Sequence, residues 1–270
     1  MSTKIDNEDF INSPMFKAFF VPHFIPHVSR IPKDVHLVEY NDFYPLYKYI
    51  SLLTVVEVVK PDNIYMHCID NKCGHGKWWD LAKRFVKCVE ITYPTREIHG
   101  HKINVMAHAT DVVRMKSIYN QGGIYLDSDV MMIKPIDSLL ELGSGQTVVA
   151  PWEYDGSTLG ASVFAGVAGS PFIRRWMDTY RFFNDDCWAC HAITVPGLLA
   201  QVYPSEARML DHRTFLEPLW TDPDKIFGNG YYDFTVDNYG MHLWCSAGNC
   251  QEHLLKITSP ADLNKYSHTT

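Results

Sequence analysis

The feature that most constrains the fold of this 270-residue sequence is an alternation of strand-like and helix-like segments between residues 34 and 130. The strand-like segments are 34–40, 63–69, 89–92 and 124–126, and the helix-like segments between them are 45–60, 78–87 and 104–121. This alternation predicts an α/β fold with a sheet of parallel strands, because each helix carries the chain back to the start of the next strand. In such sheets ligands bind beyond the carboxyl ends of the strands.

The second half of the chain is less regular. We predict a strand at 147–150 and helices at 171–183 and 195–202, the first opened by a proline, which suits the first turn of a helix. Residues 218–249 are rich in glycine, aromatic residues and aspartate, so we expect loops and short strands there.

No linker divides the chain, and we therefore expect a single domain over residues 1–270. A Rossmann-like sheet is expected over about 30–135 and a smaller, irregular lobe over about 136–260, while residues 1–30 form an irregular arm with many prolines and histidines.

The composition is that of a globular protein with an acidic balance. The net charge of -7, from 24 Lys and Arg against 31 Asp and Glu, argues against a nucleic-acid partner held by phosphate contacts. No apolar run reaches the roughly 20 residues of a membrane span, and no signal peptide or N-glycosylation sequon is seen. These features favour a cytoplasmic protein without a transmembrane segment.

Seven cysteines raise the question of a metal or redox site. They are Cys68, Cys73, Cys88, Cys187, Cys190, Cys245 and Cys250. An odd number without a signal peptide predicts reduced thiols. Cys187 and Cys190 form a C-x-x-C pair, and whether this pair binds zinc with two further cysteines stays open.

Asp127 and Asp129 follow a short apolar strand and are the first candidate functional residues. Residues two apart on an extended chain point to the same face, so the two carboxylates lie together. Close carboxylates repel unless a cation lies between them, and their oxygen atoms suit Mg²⁺ or Mn²⁺. Such a cation could bridge the phosphates of a nucleoside diphosphate.

The helix-like segment before this strand contains Asp111 and Arg114, which are neighbours on one helical face because they lie three residues apart. On local pattern alone we interpret them as a surface ion pair, worth about 0–1 kcal/mol.

The sequence around these residues resembles a known family. Residues 108–114 read HATDVVR and residues 119–129 read YNQGGIYLDSD, which is similar to the sugar-binding region of glycosyltransferase family 32. Members include α1,4-galactosyl-, α1,4-N-acetylglucosaminyl- and α-mannosyltransferases. The resemblance implies a GT-A-type nucleotide-diphospho-sugar transferase fold, a retaining mechanism and a Mn²⁺ (or Mg²⁺) cofactor.

The resemblance also implies roles for individual residues. Asp111 and Arg114 are expected to contact the donor sugar, within a donor-binding segment that includes Gly122, Gly123 and Tyr125. By the same resemblance, the first carboxylate of the D-x-D motif touches ribose or metal, and the second binds the metal directly.

The end of the chain carries a weaker match. Residues 241–244 read MHLW, similar to the family's closing His-x-Trp, and this makes His242 a candidate third metal ligand. The Ser-Trp that usually follows is replaced by CSAGN at 245–249, which puts a role for Ser246 in doubt. The strand at 147–150 is followed by an aromatic and acidic segment that includes Asp155. We take Asp155 as a candidate contact for a sugar hydroxyl and as a candidate catalytic residue. The alternative is that this segment only borders a core strand and has no role in binding.

We therefore expect a hexosyl- or N-acetylhexosaminyltransferase that uses a UDP-sugar rather than a GDP-sugar, with a glycan, glycolipid or protein acceptor. Two alternatives stay open. The motif also fits haloacid-dehalogenase-type phosphatases, in which Asp127 would be the nucleophile, and a non-catalytic sugar-binding module would share the fold without turnover. Many eukaryotic relatives are anchored Golgi enzymes, so a Golgi location fits if the sequence is a trimmed piece.

Overall fold

The computed structural model describes residues 28–228, 230–245 and 254–263. The arm predicted for residues 1–30 lies almost wholly outside these ranges, as do Ser246 and Cys250. No helix in the described ranges is long and apolar enough to cross a lipid bilayer.

Strands and helices alternate in the first half of the chain, as the sequence predicts. The strands are β1 (Val35–Glu39), β2 (Ile64–Cys68), β3 (Lys87–Val89), β4 (Glu97–Ile98), β5 (His101–Lys102), β6 (Gly123–Leu126), β7 (Val130–Met132), β8 (Val148–Pro151), β9 (Val163–Gly166), β10 (Ala207–Leu210) and β11 (Gly240–His242). The helices are α1 (Leu46–Thr54), α2 (Lys77–Ala82), α3 (Met106–Gln121), α4 (Pro171–Thr179), α5 (Val195–Val202), α6 (Pro223–Phe227) and α7 (Pro260–Leu263).

A seven-stranded sheet in the order β10-β8-β9-β6-β1-β2-β3 forms the centre of the molecule. The predicted parallel block is confirmed, because β1 pairs in parallel with β2 and β6, and β2 with β3. The sheet as a whole is mixed, since β9 runs antiparallel to both β6 and β8. The chain passes from β8 to β9 through loop 152–162 without a helical crossover, and such a connection reverses the strand direction.

Helices cover both faces of this sheet and give it two separate cores. One core contains α3, α4 and α5, and the other contains α1 and α2. Neighbouring residues of a strand point to opposite faces, so Leu37 joins one core and Val38 the other. This three-layer arrangement is what the predicted α/β fold class requires.

Several predicted helix bounds are too long. The helix predicted at 45–60 is α1 followed by a wider π-helical turn, Val55–Val59, which ends at the left-handed Lys60 (φ 52°). The helix predicted at 171–183 is α4 followed by a 3₁₀ turn, Tyr180–Phe182. Ser170 caps the start of α4 by accepting a hydrogen bond from the backbone N–H of Ile173.

The prediction of reduced thiols is wrong for the two cysteine pairs of the described ranges. Cys68 and Cys73 form a disulfide, as do Cys187 and Cys190, while Cys88 is an exposed free thiol. The first pair closes because two left-handed residues at 70–71 (φ 54° and 59°) turn the chain back after β2. Disulfide sulfur atoms are not thiolates, so neither pair supplies zinc ligands in this structure.

Candidate active site

Three strands bring together the residues that the motifs single out. Asp127 follows β6, Asp129 directly precedes β7, and His242 ends β11, which pairs with β7 so that His242 lies opposite Val130. One ligand atom from each of Asp127, Asp129 and His242 lies within 4.8 Å of the others. The sheet pairing, rather than sequence proximity, is what joins the late histidine to the D-x-D motif.

Asp129 is the most firmly held of the three. Its side chain is buried, and its Oδ2 accepts a hydrogen bond of 2.8 Å from the backbone N–H of Cys245. Burial by itself would raise the pKa of Asp129, but the nearby His242 and the N–H of Cys245 outweigh it and lower the pKa. This carboxylate is therefore ionised and oriented before any ligand arrives.

His242 lies between the two carboxylates. Its Nε2 is 3.3 Å from Asp129 Oδ1 and 4.0 Å from Asp127 Oδ2, and its buried Nδ1 has no hydrogen-bond partner within the described part of the chain. Burial would lower the pKa of His242, but the charges of Asp129 and Asp127 raise it above its ordinary value. Two carboxylates and an imidazole with an unsatisfied nitrogen fit a divalent transition-metal ion.

Arg114 and Asp111 are buried, so the interpretation as a surface ion pair is wrong. Arg114 Nη2 lies 3.2 Å from Asp111 Oδ1 and 3.5 Å from Asp127 Oδ1, and Arg114 Nη1 donates to the carbonyl of Ala161. The guanidinium also lies 4.6 Å from the centre of the Tyr125 ring. These contacts with the end of β6 and with the loop before β9 explain why Arg114 is buried although it lies beside the cleft.

Tyr125 contributes to the site through its hydroxyl group. This hydroxyl donates a hydrogen bond of 2.5 Å to Asp127 Oδ1, the same oxygen that faces Arg114. Burial raises the pKa of Tyr125 well above its usual value, so the hydroxyl stays protonated and acts as a donor. Oδ2 of Asp127 is left as the oxygen that faces His242.

Gly122 and Gly123 shape the turn that leads into β6. Both have positive φ angles, 72° and 115°. A Cβ atom on Gly123 would lie 2.6 Å from the carbonyl oxygen of Asp34, and one on Gly122 would lie 2.9 Å from a backbone nitrogen. The glycines therefore allow β6 to approach β1 closely and so fix where the D-x-D motif emerges.

A cleft of about 550 Å³ opens beside these residues. Its lining combines the buried polar residues of the site with exposed aromatic side chains; the residues are Ala107, His108, Asp111, Arg114, Asp127, Glu153, Ala161, Ser162, Trp188, Ala192, Ile193, Trp220, His242 and Trp244. The volume lies in the range of small-molecule sites. A second cavity of about 580 Å³, beside Cys68 and Arg96, contains none of the three clustered candidate ligands.

Asp155 does not line this cleft. Its Oδ1 accepts hydrogen bonds from the backbone N–H groups of Ser157 and Thr158 and from the Thr158 hydroxyl, at 2.9, 3.0 and 2.9 Å. Asp155 therefore closes a turn after β8, and the same segment places Glu153 in the cleft instead. Sequence reasoning missed Glu153, although the D-G-S-T sequence from Asp155 onwards is typical of such a turn.

Known proteins resemble the chain in sequence. Residues 60–145 match the family described as the glycosyltransferase sugar-binding region containing the DXD motif. Glucan organizing enzyme 1 of Cryptococcus neoformans is 29% identical over 239 residues, which cover 86% of this chain and 64% of that protein. An uncharacterized protein of Arabidopsis thaliana is 31% identical over 85 residues, covering 31% of this chain and 12% of that protein. The chain thus spans less than two thirds of the length of both relatives.

Solved structures resemble the fold at low sequence identity. The glycosyltransferase GlyE of Streptococcus pneumoniae superposes with a TM-score of 0.50 at 10% identity, over 78% of this chain and 54% of that chain. The galactosyltransferase LgtC gives a TM-score of 0.45 at 13% identity, over 86% and 99% of the two chains.

The fold and the D-x-D site define a chain of the GT-A glycosyltransferase class. Within that class the chain resembles glycosyltransferase family 32, as its motifs indicate.

Proposed function

We propose that this chain transfers a hexosyl or N-acetylhexosaminyl group from a nucleoside-diphosphate sugar to an acceptor hydroxyl, with retention at the anomeric carbon. Asp127, Asp129 and His242 would hold a divalent cation at the diphosphate. The cation would stabilise the charge that develops on the leaving diphosphate.

The single observation that supports this proposal most strongly is the geometry of His242. The Nε2 atom of this buried imidazole lies 3.3 Å from Asp129 and 4.0 Å from Asp127, and its Nδ1 has no hydrogen-bond partner among the described residues. Unsatisfied buried polar atoms are costly, and a bound cation or phosphate would satisfy them. The imidazole favours Mn²⁺ over Mg²⁺, because Mg²⁺ prefers oxygen ligands alone.

The cleft also offers groups for the donor sugar. Asp111 can accept hydrogen bonds from sugar hydroxyls, and Arg114 can donate to them, since both line the cleft and are held against each other at 3.2 Å. Because neither side chain has to become ordered on binding, their hydrogen bonds to the sugar would cost little entropy. In a retaining transfer of this kind, the leaving phosphate can take the acceptor proton, so no protein base is required.

The alternatives receive less support. A phosphatase would need a free oxygen of Asp127 to attack, but Oδ1 accepts from Tyr125 and Oδ2 faces the buried His242. The GT-A fold does not favour the phosphatase either. A non-catalytic module stays as an outcome of the experiment below.

The disulfides also bear on the compartment. Two disulfides in the described ranges favour an oxidising compartment, such as the lumen of the secretory pathway, over the cytoplasm that the sequence favours. The donor and acceptor would then be those available in that compartment.

A donor panel tests the proposed function. The purified protein is incubated with UDP- and GDP-sugars in Mn²⁺, Mg²⁺ or EDTA, and released nucleoside diphosphate is measured. We expect one donor, first among the UDP-sugars, to be hydrolysed slowly in Mn²⁺ and not in EDTA. Asp129→Asn should lower this rate at least 100-fold, because the neutral amide cannot replace a metal-binding carboxylate.

Asp80→Asn is the matched control, since Asp80 is an exposed carboxylate that pairs with Lys83 and does not line the cleft. Its rate should equal that of the wild type. Metal-dependent donor binding without any turnover would favour the non-catalytic module. If no sugar nucleotide is bound or turned over in any metal, the donor-site assignment is wrong.

A further inference from the structure

Two exposed tryptophans lie on the same cleft as the candidate metal site. Trp188 is 61% exposed and Trp220 is 54% exposed, although both line the cleft that contains Asp127 and His242. Exposed indole rings are unfavourable in water, and they concentrate where a ligand covers them. The buried polar residues form the inner part of the cleft, so the tryptophans belong to its outer part.

Trp188 is held in place by its own loop. Cys187 and Cys190 form a disulfide on either side of it. Its carbonyl oxygen lies 3.3 Å from His108 Nε2, and the two rings are 5.8 Å apart. The Trp188 ring is therefore exposed to solvent, while its residue contacts His108 on α3, the helix that also contains Asp111 and Arg114.

Asp185 anchors the same loop at the start of α3. Its Oδ2 accepts hydrogen bonds from the backbone N–H and side-chain amide of Asn104, at 2.8 and 3.0 Å, and its Oδ1 lies 2.8 Å from His108 Nδ1. An aromatic ring fixed in this way loses little conformational entropy when a ligand stacks on it. Such an arrangement suits a binding surface better than a mobile loop would.

Glu153 adds a polar group to the same cleft. No protein hydrogen bond to its carboxylate occurs within the described part of the chain, and burial raises its pKa. A half-buried acid without a protein partner is suited to accepting or donating a hydrogen bond to a ligand hydroxyl. Apolar sugar faces stack on aromatic rings, while sugar hydroxyls need such polar partners.

We propose that Trp188, Trp220 and Glu153 form the acceptor subsite and that the acceptor is an oligosaccharide. The two indole rings stack on sugar units, and Glu153 hydrogen-bonds a hydroxyl close to the metal site. This inference rests on the proposed transferase function and adds the class of acceptor.

The test compares Trp188→Ala with Trp188→Phe in transfer to a panel of oligosaccharides, with donor hydrolysis measured in parallel. We expect Trp188→Ala to raise the KM for the saccharide acceptor at least tenfold and to lower the ratio of transfer to hydrolysis. Trp188→Phe, which keeps an aromatic face, should recover most of the loss. Tyr231→Ala is the matched control, since Tyr231 is 86% exposed and does not line the cleft.

A second variant tests the loop separately. Replacing both cysteines, Cys187→Ser with Cys190→Ser, keeps Trp188 but removes the covalent closure of its loop. We expect a smaller rise in acceptor KM, about threefold, because the opened loop is more mobile and loses conformational entropy when the acceptor binds.

Direct saccharide binding, measured on a glycan array with donor and Mn²⁺ present, separates this inference from the proposed function. Saccharide binding that Trp188→Ala abolishes would support the subsite even if the wild type turned over no donor. The inference is overturned if wild-type protein binds no saccharide. It is equally overturned if Trp188→Ala leaves the KM of every saccharide acceptor within twofold of wild type.

Discussion

Arg114 Nη2 lies 3.5 Å from Asp127 Oδ1, so the guanidinium of α3 faces the first carboxylate of the D-x-D motif across the buried side of the cleft. The same nitrogen is 3.2 Å from Asp111, and Arg114 therefore links two acidic residues that would otherwise repel each other. Arg114 and Asp111 are buried and Asp127 is half-buried, so these three groups of the helix and the strand end form one electrostatic cluster.

Replacing Arg114 by lysine tests this unit. Lysine keeps the charge but cannot bridge two carboxylates and a carbonyl with a planar fork. We expect Arg114→Lys to lower kcat for donor turnover at least tenfold and to lower the free energy of unfolding by about 1–3 kcal/mol. Arg174→Lys is the control, because Arg174 is exposed and pairs across one helical turn with Asp178, and it should change stability by less than about 0.5 kcal/mol. Equal effects of the two changes would contradict the assigned role of Arg114.

A second buried ion pair, between Lys48 and Glu39, holds α1 against the end of β1. Lys48 Nζ lies 2.9 and 2.8 Å from the two carboxylate oxygens, and both side chains are almost completely buried. We expect Lys48→Met to lower the free energy of unfolding in urea by about 3–5 kcal/mol, because Glu39 is left charged and unpaired. The double variant Glu39→Gln with Lys48→Met should recover at least half of that loss, since no buried charge remains. A double variant that is as unstable as Lys48→Met would show that shape rather than charge is responsible.

Much of the candidate metal site could be predicted from sequence, because its signal is local. Asp127 and Asp129 follow a short apolar strand, and their spacing by itself brings the two carboxylates together. His242 was found only through the resemblance to a family, since nothing local predicts that β11 pairs with β7. Long-range pairing of short strands has no periodic signature in a single sequence.

The burial of Arg114 and the choice between two acids could not be predicted from local pattern. Whether an ion pair on a helix is exposed depends on what packs over it, and Arg114 is covered by Tyr125 and by the segment that contains Ala161. Glu153 and Asp155 lie two residues apart, so the direction of the chain after β8 decides which of them enters the cleft. The turn signature after Asp155 was the signal that would have assigned it a structural role.

Gly123 tests how the turn before β6 positions the site. Its φ of 115° is unfavourable for other residues, and an added Cβ would lie 2.6 Å from the Asp34 carbonyl oxygen, a backbone atom. We expect Gly123→Ala to lower the free energy of unfolding by more than about 3 kcal/mol, from the backbone conformation and the clash together. Gly156→Ala is the matched control, because Gly156 has a φ of 67° but nothing within 4 Å of the new Cβ. It should cost only about 1 kcal/mol, and a similar loss for both variants would mean that the clash is relieved by movement of the strands.

Two buried histidines lie beneath the same turn. His36 Nε2 is 3.0 Å from the carbonyl oxygen of Gly122, and His36 Nδ1 is 2.9 Å from His67 Nε2. The carbonyl can only accept, so His36 donates from Nε2 and its Nδ1 accepts from His67. Both rings are therefore neutral in the folded protein. If His36 were protonated at Nδ1, its N–H would point at the N–H of His67 Nε2, and the two donors would repel each other.

This pair predicts that stability falls in mild acid. Burial lowers the pKa of His36 to about 4 and that of His67 to about 3, whereas both titrate near 6.5 in the unfolded chain. The unfolded state therefore takes up protons first as the pH falls below about 6.5, so the folded state loses stability from there down through the folded pKa values. We expect a loss of roughly 1–2 kcal/mol per histidine between pH 7.5 and pH 5, measured as the shift in urea midpoint at constant ionic strength. The variant His67→Gln, which leaves an amide donor for His36, should lower the loss by the share of one histidine, roughly 1–2 kcal/mol, while His191, whose pKa burial also lowers to about 4, keeps its own share. A urea midpoint that is flat between pH 7.5 and pH 5 in the wild type would show that these rings are not held neutral.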